Sequence, residues 1–373
     1  MHILYTNFHA GHGGGHTTYL AALIRGLRER HSVTLAASEG SRVYGVGKEL
    51  GIDVIDIDFP GGLRPAELST SVRKLAAAMD RRPVDIVHVN GSRDHWITVW
   101  TALLRGRNRP AIVATKHNSM AVKRDPANWF RARYFTDHVI AVSASVARQI
   151  EDSVYRNCGV TTIRHGIDLD YFAPLAGREQ RDVLRRQWGA TDLVIGSVAG
   201  TTPYKSWTTL VEAMALLTEP ERQRLRVVVA GVPPSEAQLA AVATAGVEPQ
   251  MIFPGMADDV RPMIAAFDIG FVLSTAIEAL SYACRETMAM GRPMLVSDHG
   301  GLPENVIEGR DGWVTPAGDA RAVAEWLRKL LSGAFDLQKM GLAARAHAEA
   351  EFSVAKFLGA TEDVYERVLR ARQ

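Results

Sequence analysis

The sequence predicts an α/β fold: two Rossmann-like, doubly wound parallel-sheet domains facing one another across a cleft. Three observations lead there. Short apolar runs alternate with helix-length segments, a segment containing Pro174 breaks the alternation once, and 373 residues suit two domains at about 100–200 residues each.

MHILYTN is the first strand, and a helix follows from Thr17 to about Arg30. SVTLAAS and DVIDID are the next strands, followed by a helix from Arg64 to Asp80 and the strand DIVHVN. AIVATKHN and HVIAVS continue the series, the second leading into the helix ASVARQIED and then VTTIRHG. Strands separated by helices of this length require right-handed crossovers and therefore a parallel sheet. Residues 166–176 read as a linker, after which LVIGSVAG, VVVAG, MIFPG, FDIGFVLS and PMLVSD form a second set of strands. FSVAKFLGATEDVYERVLRARQ reads as a terminal helix. The expected division is 1–170 and 171–354, with a last helix over 355–373. No internal repeat or low-complexity tract interrupts it.

Composition narrows the class. Hydrophobic residues make up 47% and charged residues 23%, enough for ordinary cores. A net charge of +2 argues against a dedicated nucleic-acid binder. Cys158 and Cys284 are too few for a disulfide framework. No apolar run approaches the ~20 residues that cross a bilayer, and MHILYTNF enters a strand without a signal peptide, so a cytoplasmic location is expected.

The most informative block is EALSYACRE, which places Glu278 and Glu286 eight positions apart. Surface helices carry such pairs often, so the context decides. FDIGFVLS before it is a buried strand, and MAMGRPMLVSD after it is a helix stopped at Gly291 and another strand. The acids therefore lie on a strand-to-helix connection, where open parallel sheets bind ligands. Eight residues is about two helical turns, so both carboxylates are expected along a similar face, each able to accept hydroxyls. First-turn amides between them suit a diphosphate.

Other loops add to this. The cluster Gly11, Gly13, Gly14 and Gly15 invites a dinucleotide-loop reading, but His16 stands where the third glycine of GxGxxG belongs, and Glu39 is a displaced ribose acid. Close backbone approach to a ligand, or a plain tight turn, remains. His12 and His16 have no further ligand at metal spacing, so no metal site is expected. In VAGTTPYKSWTTLVEA, Lys205 and the amides of the next helix can meet negative charge building on a leaving diphosphate. With no DxD-type acidic cluster placed where a divalent ion could meet that charge instead, metal independence and no cofactor are expected. His117 ends the strand AIVATK and should project into the cleft, unless it is merely structural. His88 and Asn90 end the preceding strand and, with His16, are acceptor-binding candidates.

HAGHGGGHTTYLAALIRGL, IVATKHNS, IRHGIDLDYFAP, GTTPYKSW and the EALSYACRE block, in this order over nearly the whole chain, resemble the motifs of the family 4 retaining glycosyltransferases, which have the GT-B architecture. The resemblance implies transfer of a sugar from a UDP- or GDP-linked donor to an acceptor hydroxyl, with retention through a front-face route. It implies a donor site of Gly14, Gly15, Gly200, Thr201, Lys205, Leu280, Ser281, Tyr282 and Glu286. His117, Lys205 and Glu278 would be catalytic, and the terminal helix would cross back to the N-terminal domain. Thr201 departs from the pattern, because the family usually has arginine there. Arg285 either replaces that charge or is a solvated helix residue.

VKRDPANWFRARYF combines Lys123, Arg124, Arg131 and Arg133 with Trp129, Phe130 and Tyr134. This suits an anionic lipid surface, and equally an ordinary amphipathic helix. The expected acceptor is a glycan or lipid-linked glycan, as in lipopolysaccharide or other cell-envelope synthesis, met at the inner face of the cytoplasmic membrane. The alternatives are a 2-epimerase-like isomerase and a non-catalytic nucleotide-sugar-binding protein.

Overall fold

The computed structural model describes every residue except His12, Gly13, Leu63 and Thr191. The sequence readings at His12 and Gly13 therefore lie outside the described residues. The chain forms two compact units, one of Met1–Gly166 with Val354–Gln373 and one of Ile167–Ser353.

The first unit has strands β1 (His2–Asn7), β2 (Ser32–Ala37), β3 (Asp53–Asp56), β4 (Ile86–Val89), β5 (Ala111–Lys116), β6 (His138–Ala141) and β7 (Val160–Thr162). They pair in the order β3-β2-β1-β4-β5-β6-β7, all parallel. β1 and β4 are buried throughout, as expected of strands covered on both faces. The order reverses between β1 and β4. A ligand crevice in such a sheet opens at the carboxyl ends of the strands beside that reversal. Those ends lead to the loop before helix Gly15–Leu27, to Asn90 and, from β5, to His117.

Helix Val354–Arg370 returns to this unit after the whole of the second. It can lie against helix Gly15–Leu27 because Gly26 has no side chain: a Cβ there would sit 2.1 Å from Leu358 Cδ1. Phe357 packs on Tyr19 with ring centroids 4.9 Å apart, and Tyr365 is fully buried against His88. Burial of each such aromatic stabilises by about 1.5–3 kcal/mol.

The second unit has β8 (Leu193–Ser197), β9 (Leu225–Val229), β10 (Met251–Ile252), β11 (Ile269–Val272), β12 (Met294–Ser297) and β13 (Gly312–Thr315). The order is β10-β9-β8-β11-β12-β13, again parallel. Its reversal lies between β8 and β11, whose carboxyl ends carry the Lys205 loop and the Glu278 loop. The sheet packs through Ile195, Val227, Phe271 and Leu295 onto Trp207, which precedes helix Thr208–Ala215, and onto Trp326 of helix Ala320–Leu331. β13 and helices Ala320–Leu331 and Leu337–Glu351 were absent from the sequence reading.

Candidate functional site

In the second unit Lys205 Nζ donates to Glu278 Oε2 at 2.6 Å. Ser274 Oγ donates to the same oxygen at 2.8 Å, and Ser274 O accepts from Ser297 Oγ at 2.6 Å. With both bonds on Oε2, Oε1 is the oxygen open to a ligand hydroxyl. Both loops are tied together: Thr275 N donates to Tyr204 O at 3.0 Å, and the Ser206 and Thr275 hydroxyls lie 2.7 Å apart.

Backbone strain marks the same spot. Among the described residues only Ser206 (φ 48°) and Ile277 (φ 61°) have positive φ without being glycine. One follows Lys205 and the other precedes Glu278. Such conformations cost about 1–3 kcal/mol each and persist where the surroundings over-determine them, often at functional sites.

Glu278 lies in the loop, not on the helix, which begins only at Tyr282. The expectation of two carboxylates two turns apart on one helical face is therefore corrected: Glu286 alone is helical. Glu286 is half-buried, its carboxyl has no hydrogen-bond partner among the described residues, and burial pushes it up to about 7. Ser281 caps the helix by accepting from Cys284 N at 3.3 Å, and Leu280 is buried beneath it. Thr201 is buried and gives its hydroxyl to Val232 O at 2.6 Å, while its carbonyl accepts from Trp207 and Gln238. Its hydroxyl is thus engaged within the loop that follows Gly200.

Arg285 corrects both of its readings. It is 0% exposed, donates to Asn305 Oδ1 at 2.9 Å and lies 4.2 Å from the Phe352 ring centre. It is neither a solvated helix residue nor a cation offered to phosphate.

In the first unit His117 and Asn90 meet, with Nε2 2.9 Å from Asn90 Oδ1. Asn90 is fixed by its Nδ2, which donates to Thr6 O at 3.1 Å, and by its N–H, which donates to Asp94 Oδ2 at 2.8 Å. Because the amide presents its oxygen, His117 carries its proton on Nε2 and keeps a lone pair on Nδ1. Burial, then the neighbouring His16, hold its pKa well below the usual range. His16 stacks on it at 4.3 Å and bonds His9 at 2.8 Å. Burial, then His9, lower His16 to about 4. This imidazole group is neutral at physiological pH.

His88, expected to touch an acceptor, is instead fully buried between Tyr365 Oη at 2.5 Å and Thr115 Oγ1 at 2.6 Å. Burial lowers it to about 3. Its part is to receive the terminal helix.

A pocket of about 340 Å³ lies beside His117, with Asn90, His16, Lys116, Lys123 and Arg131 in its wall and no carboxylate. Lys116 bonds Asn118 O at 2.8 Å, and burial lowers it to about 8. Arg131 is buried, held by Tyr155, Ser92 and Asn128. It therefore leaves the exposed basic set anticipated for a lipid surface. Sequence reasoning missed Ser274, whose place after an apolar strand gave no chemical signal, and Arg131's place in a pocket wall. At Gly14 an added Cβ would meet nothing within 4 Å, so the chain's own packing does not demand glycine there; Gly15 begins the helix.

Among the described residues no three His, Cys, Asp or Glu side chains could together hold a metal ion, and no helix is long and apolar enough to cross a membrane.

The chain is 27% identical to N-acetyl-alpha-D-glucosaminyl L-malate synthase of Bacillus anthracis over 307 residues, 80% of this chain and 78% of that one. Anabaena HepE, crystallised with UDP, superposes with a TM-score of 0.83 at 19% identity, covering 98% of this chain and 100% of that chain. A Rickettsia africae glycosyltransferase gives 0.83 at 18% identity, covering 99% and 98%. Residues 13–171 match the description Glycosyltransferase Family 4 and residues 192–333 match Glycosyl transferases group 1. The chain thus belongs to the family 4 glycosyltransferases, with the two parallel-sheet domains of the GT-B architecture.

Proposed function

We propose that this glycosyltransferase binds a nucleoside diphosphate sugar, UDP- or GDP-linked, in its second unit and passes the sugar, with retention, to a hydroxyl of an anionic acceptor held beside His117. The observation that carries this is the Lys205–Glu278 pair, 2.6 Å apart with a strained residue adjoining each member. A fixed cation beside a carboxylate with one open oxygen suits a diphosphate next to a hydroxylated sugar. The crystal structures of HepE with UDP and with UDP-glucose support the donor class.

In this reading the bond from the anomeric carbon to the phosphate oxygen breaks while the acceptor oxygen attacks the same face. The acceptor proton passes to the departing phosphate oxygen. Lys205 and the amide end of helix Tyr282–Ala289 meet the charge released, so the step needs no metal. Glu278 Oε1 holds a hydroxyl of the donor sugar, and neutral His117 lines the acceptor pocket of the first unit. Gly14 and Gly15 let the loop backbone approach the ligand. Lys116, Lys123 and Arg131, with no carboxylate in the pocket, favour an acceptor bearing phosphate or carboxylate. The malate named in the Bacillus relative is of that class.

Glu286 would accept the ribose hydroxyls, and titration calorimetry with UDP and GDP tests it. A hydrogen bond to a charged group contributes about 1.5–3 kcal/mol, so Glu286→Gln should weaken nucleotide binding by about 10- to 100-fold. In the parent chain affinity should fall as pH drops below about 7, where Glu286 protonates, and in the variant that slope should vanish. Unchanged affinity in the variant would remove Glu286 from the site. Stability runs the other way. A carboxyl whose pKa is raised by folding binds more protons folded than unfolded, so it lowers stability as pH rises from about 4.5 to about 7. The variant should therefore melt higher than the parent at pH 8 and equally at pH 4.

Membrane contact at the acceptor side is part of the same proposal. Trp129, Phe130 and Tyr134 are exposed beside Arg124 and Arg133, and Trp100 and Leu104 are exposed on helix Ser92–Arg105. Each basic residue near an anionic surface contributes about 1 kcal/mol. The chain should sediment with phosphatidylglycerol vesicles and not with phosphatidylcholine ones. Replacing Arg124 and Arg133 together by Gln should weaken that binding by about 10- to 30-fold. Equal sedimentation with both lipids would count against it.

A further inference from the structure

A second pocket in the second unit, of about 180 Å³, is walled by Pro174, Leu175, Arg178, Arg181, Ala265 and Arg292. It contains three guanidinium groups and no acid. Arg178 and Arg181 stand three residues apart, hence on one side of helix Arg178–Gln187, and Arg292 comes from the turn into β12.

Several other arginines in this unit have carboxylate partners: Arg185 with Asp268 at 2.9 Å, Arg261 with Asp259 at 2.7 Å, and Arg345 with Glu349 at 2.6 Å. Here they do not. Among the described residues the side chains of Arg178 and Arg181 make no hydrogen bond or ion pair. Arg292 makes one bond, to Ala265 O at 2.8 Å. The Nε atoms of Arg181 and Arg292 are both shut from solvent without a partner. Asp268, whose charge reaches Arg292, is already committed to Arg185 and to Val194 N at 2.8 Å. Glu179 and Asp182 share the helix but neither lines the pocket. The helix also has no side-chain cap at its start, so its own N-terminal dipole adds positive potential.

Like charges gathered with unpaired buried donors are unfavourable unless an anion from solution completes them. Burial, and then Arg181, accordingly depress the Arg292 pKa. Guanidinium forks match tetrahedral oxyanions, and a water takes up about 30 Å³ in the liquid, so the space suits a phosphate or diphosphate. We infer that Arg178, Arg181 and Arg292 form a phosphate-binding site, separate from Lys205, for inorganic phosphate or a small phosphate monoester.

The test is thermal unfolding of the full chain in sodium phosphate against sodium chloride at matched ionic strength. It is run on the parent, Lys205→Ala, Arg181→Gln and Arg292→Gln. Phosphate should raise Tm saturably in the parent and in Lys205→Ala, because binding to the folded state stabilises it by mass action. Arg181→Gln and Arg292→Gln should each weaken the apparent phosphate affinity by about tenfold or more, the loss of one charge-assisted hydrogen bond. Without phosphate, Arg181→Gln should melt no lower than the parent, since it relieves repulsion. A drop would mean the arginine serves packing and would overturn the site. So would the absence of a saturable shift, or a shift lost in Lys205→Ala but kept in Arg181→Gln, which would put the anion at the donor loop. Glycerol phosphate run in parallel names the source: an equal shift extends the ligand to monoesters, and none confines it to inorganic phosphate. Because Lys205→Ala is carried throughout, the site can stand even if the proposed donor reading falls.

Discussion

Replacing Lys205 by alanine is expected to lower kcat by about 100- to 1,000-fold, the range found when one preorganised electrostatic group is removed from a transition state. Lys205 reaches Glu278 at 2.6 Å with both side chains nearly buried, so the substitution also strands a carboxylate that keeps only Ser274. Breaking one side of such a pair costs about 3–5 kcal/mol, which would confuse an activity assay on its own. The double variant Lys205→Met, Glu278→Gln separates the two effects. It has no stranded charge and should recover most of the lost stability, measured by urea midpoint, while activity stays low. If activity returned with stability, Lys205 would be a structural cation only, and the proposed role at the diphosphate would fail.

Gly300→Ala should be the most disruptive single methyl group in the second unit. Gly300 has φ +59°, and a Cβ there would lie 1.9 Å from the backbone oxygen of Glu278. The left-handed backbone alone costs a non-glycine residue about 1–2 kcal/mol. The clash adds more, because a backbone carbonyl that follows the strained Ile277 and accepts from Gly301 N at 3.4 Å cannot swing aside like a side-chain tip. A total loss of roughly 4 kcal/mol belongs to the diagnostic tail of point substitutions. Any relaxation must displace Glu278, and a shift of about 1 Å at a reacting group can cost about 100-fold in rate. Gly309→Ala is the control. Its φ is +72° with nothing within 4 Å, so it bears the backbone cost without the collision and should leave kcat unchanged. Equal losses in the two variants would show that the contact with Glu278 is unimportant.

Much of the architecture was legible in the sequence because parallel strands buried on both faces leave short apolar runs, and these alternated visibly with helices. β13, GWVT, was missed because it follows the polar turn EGRD and only two of its four residues are apolar, so no apolar run marks it. Lys205 and Glu278 were legible as chemistry, but the bond joining them was not, since it depends on two loops 73 residues apart being hydrogen-bonded to each other. The strain at Ser206 and Ile277 has no sequence signal at all: neither residue type favours a positive φ, and tertiary contacts impose it. His88 and Arg285 were misread for a common reason. A polar residue at a strand end or in a motif looks available, yet Tyr365 and Asn305, distant in sequence, occupy their donors and acceptors. Thr201 shows the same effect over a shorter range, its hydroxyl taken by Val232 O.

The helix that seats Tyr365 on His88 is encoded after all 187 residues of the second unit, from Ile167 to Ser353. A ribosome therefore finishes the inserted unit before the first can satisfy its own interior. Until residues 354–373 emerge, the early sheet waits with a histidine and an apolar groove exposed along helix Gly15–Leu27. The later-made half can mature first, and the order of synthesis is not the order of completion.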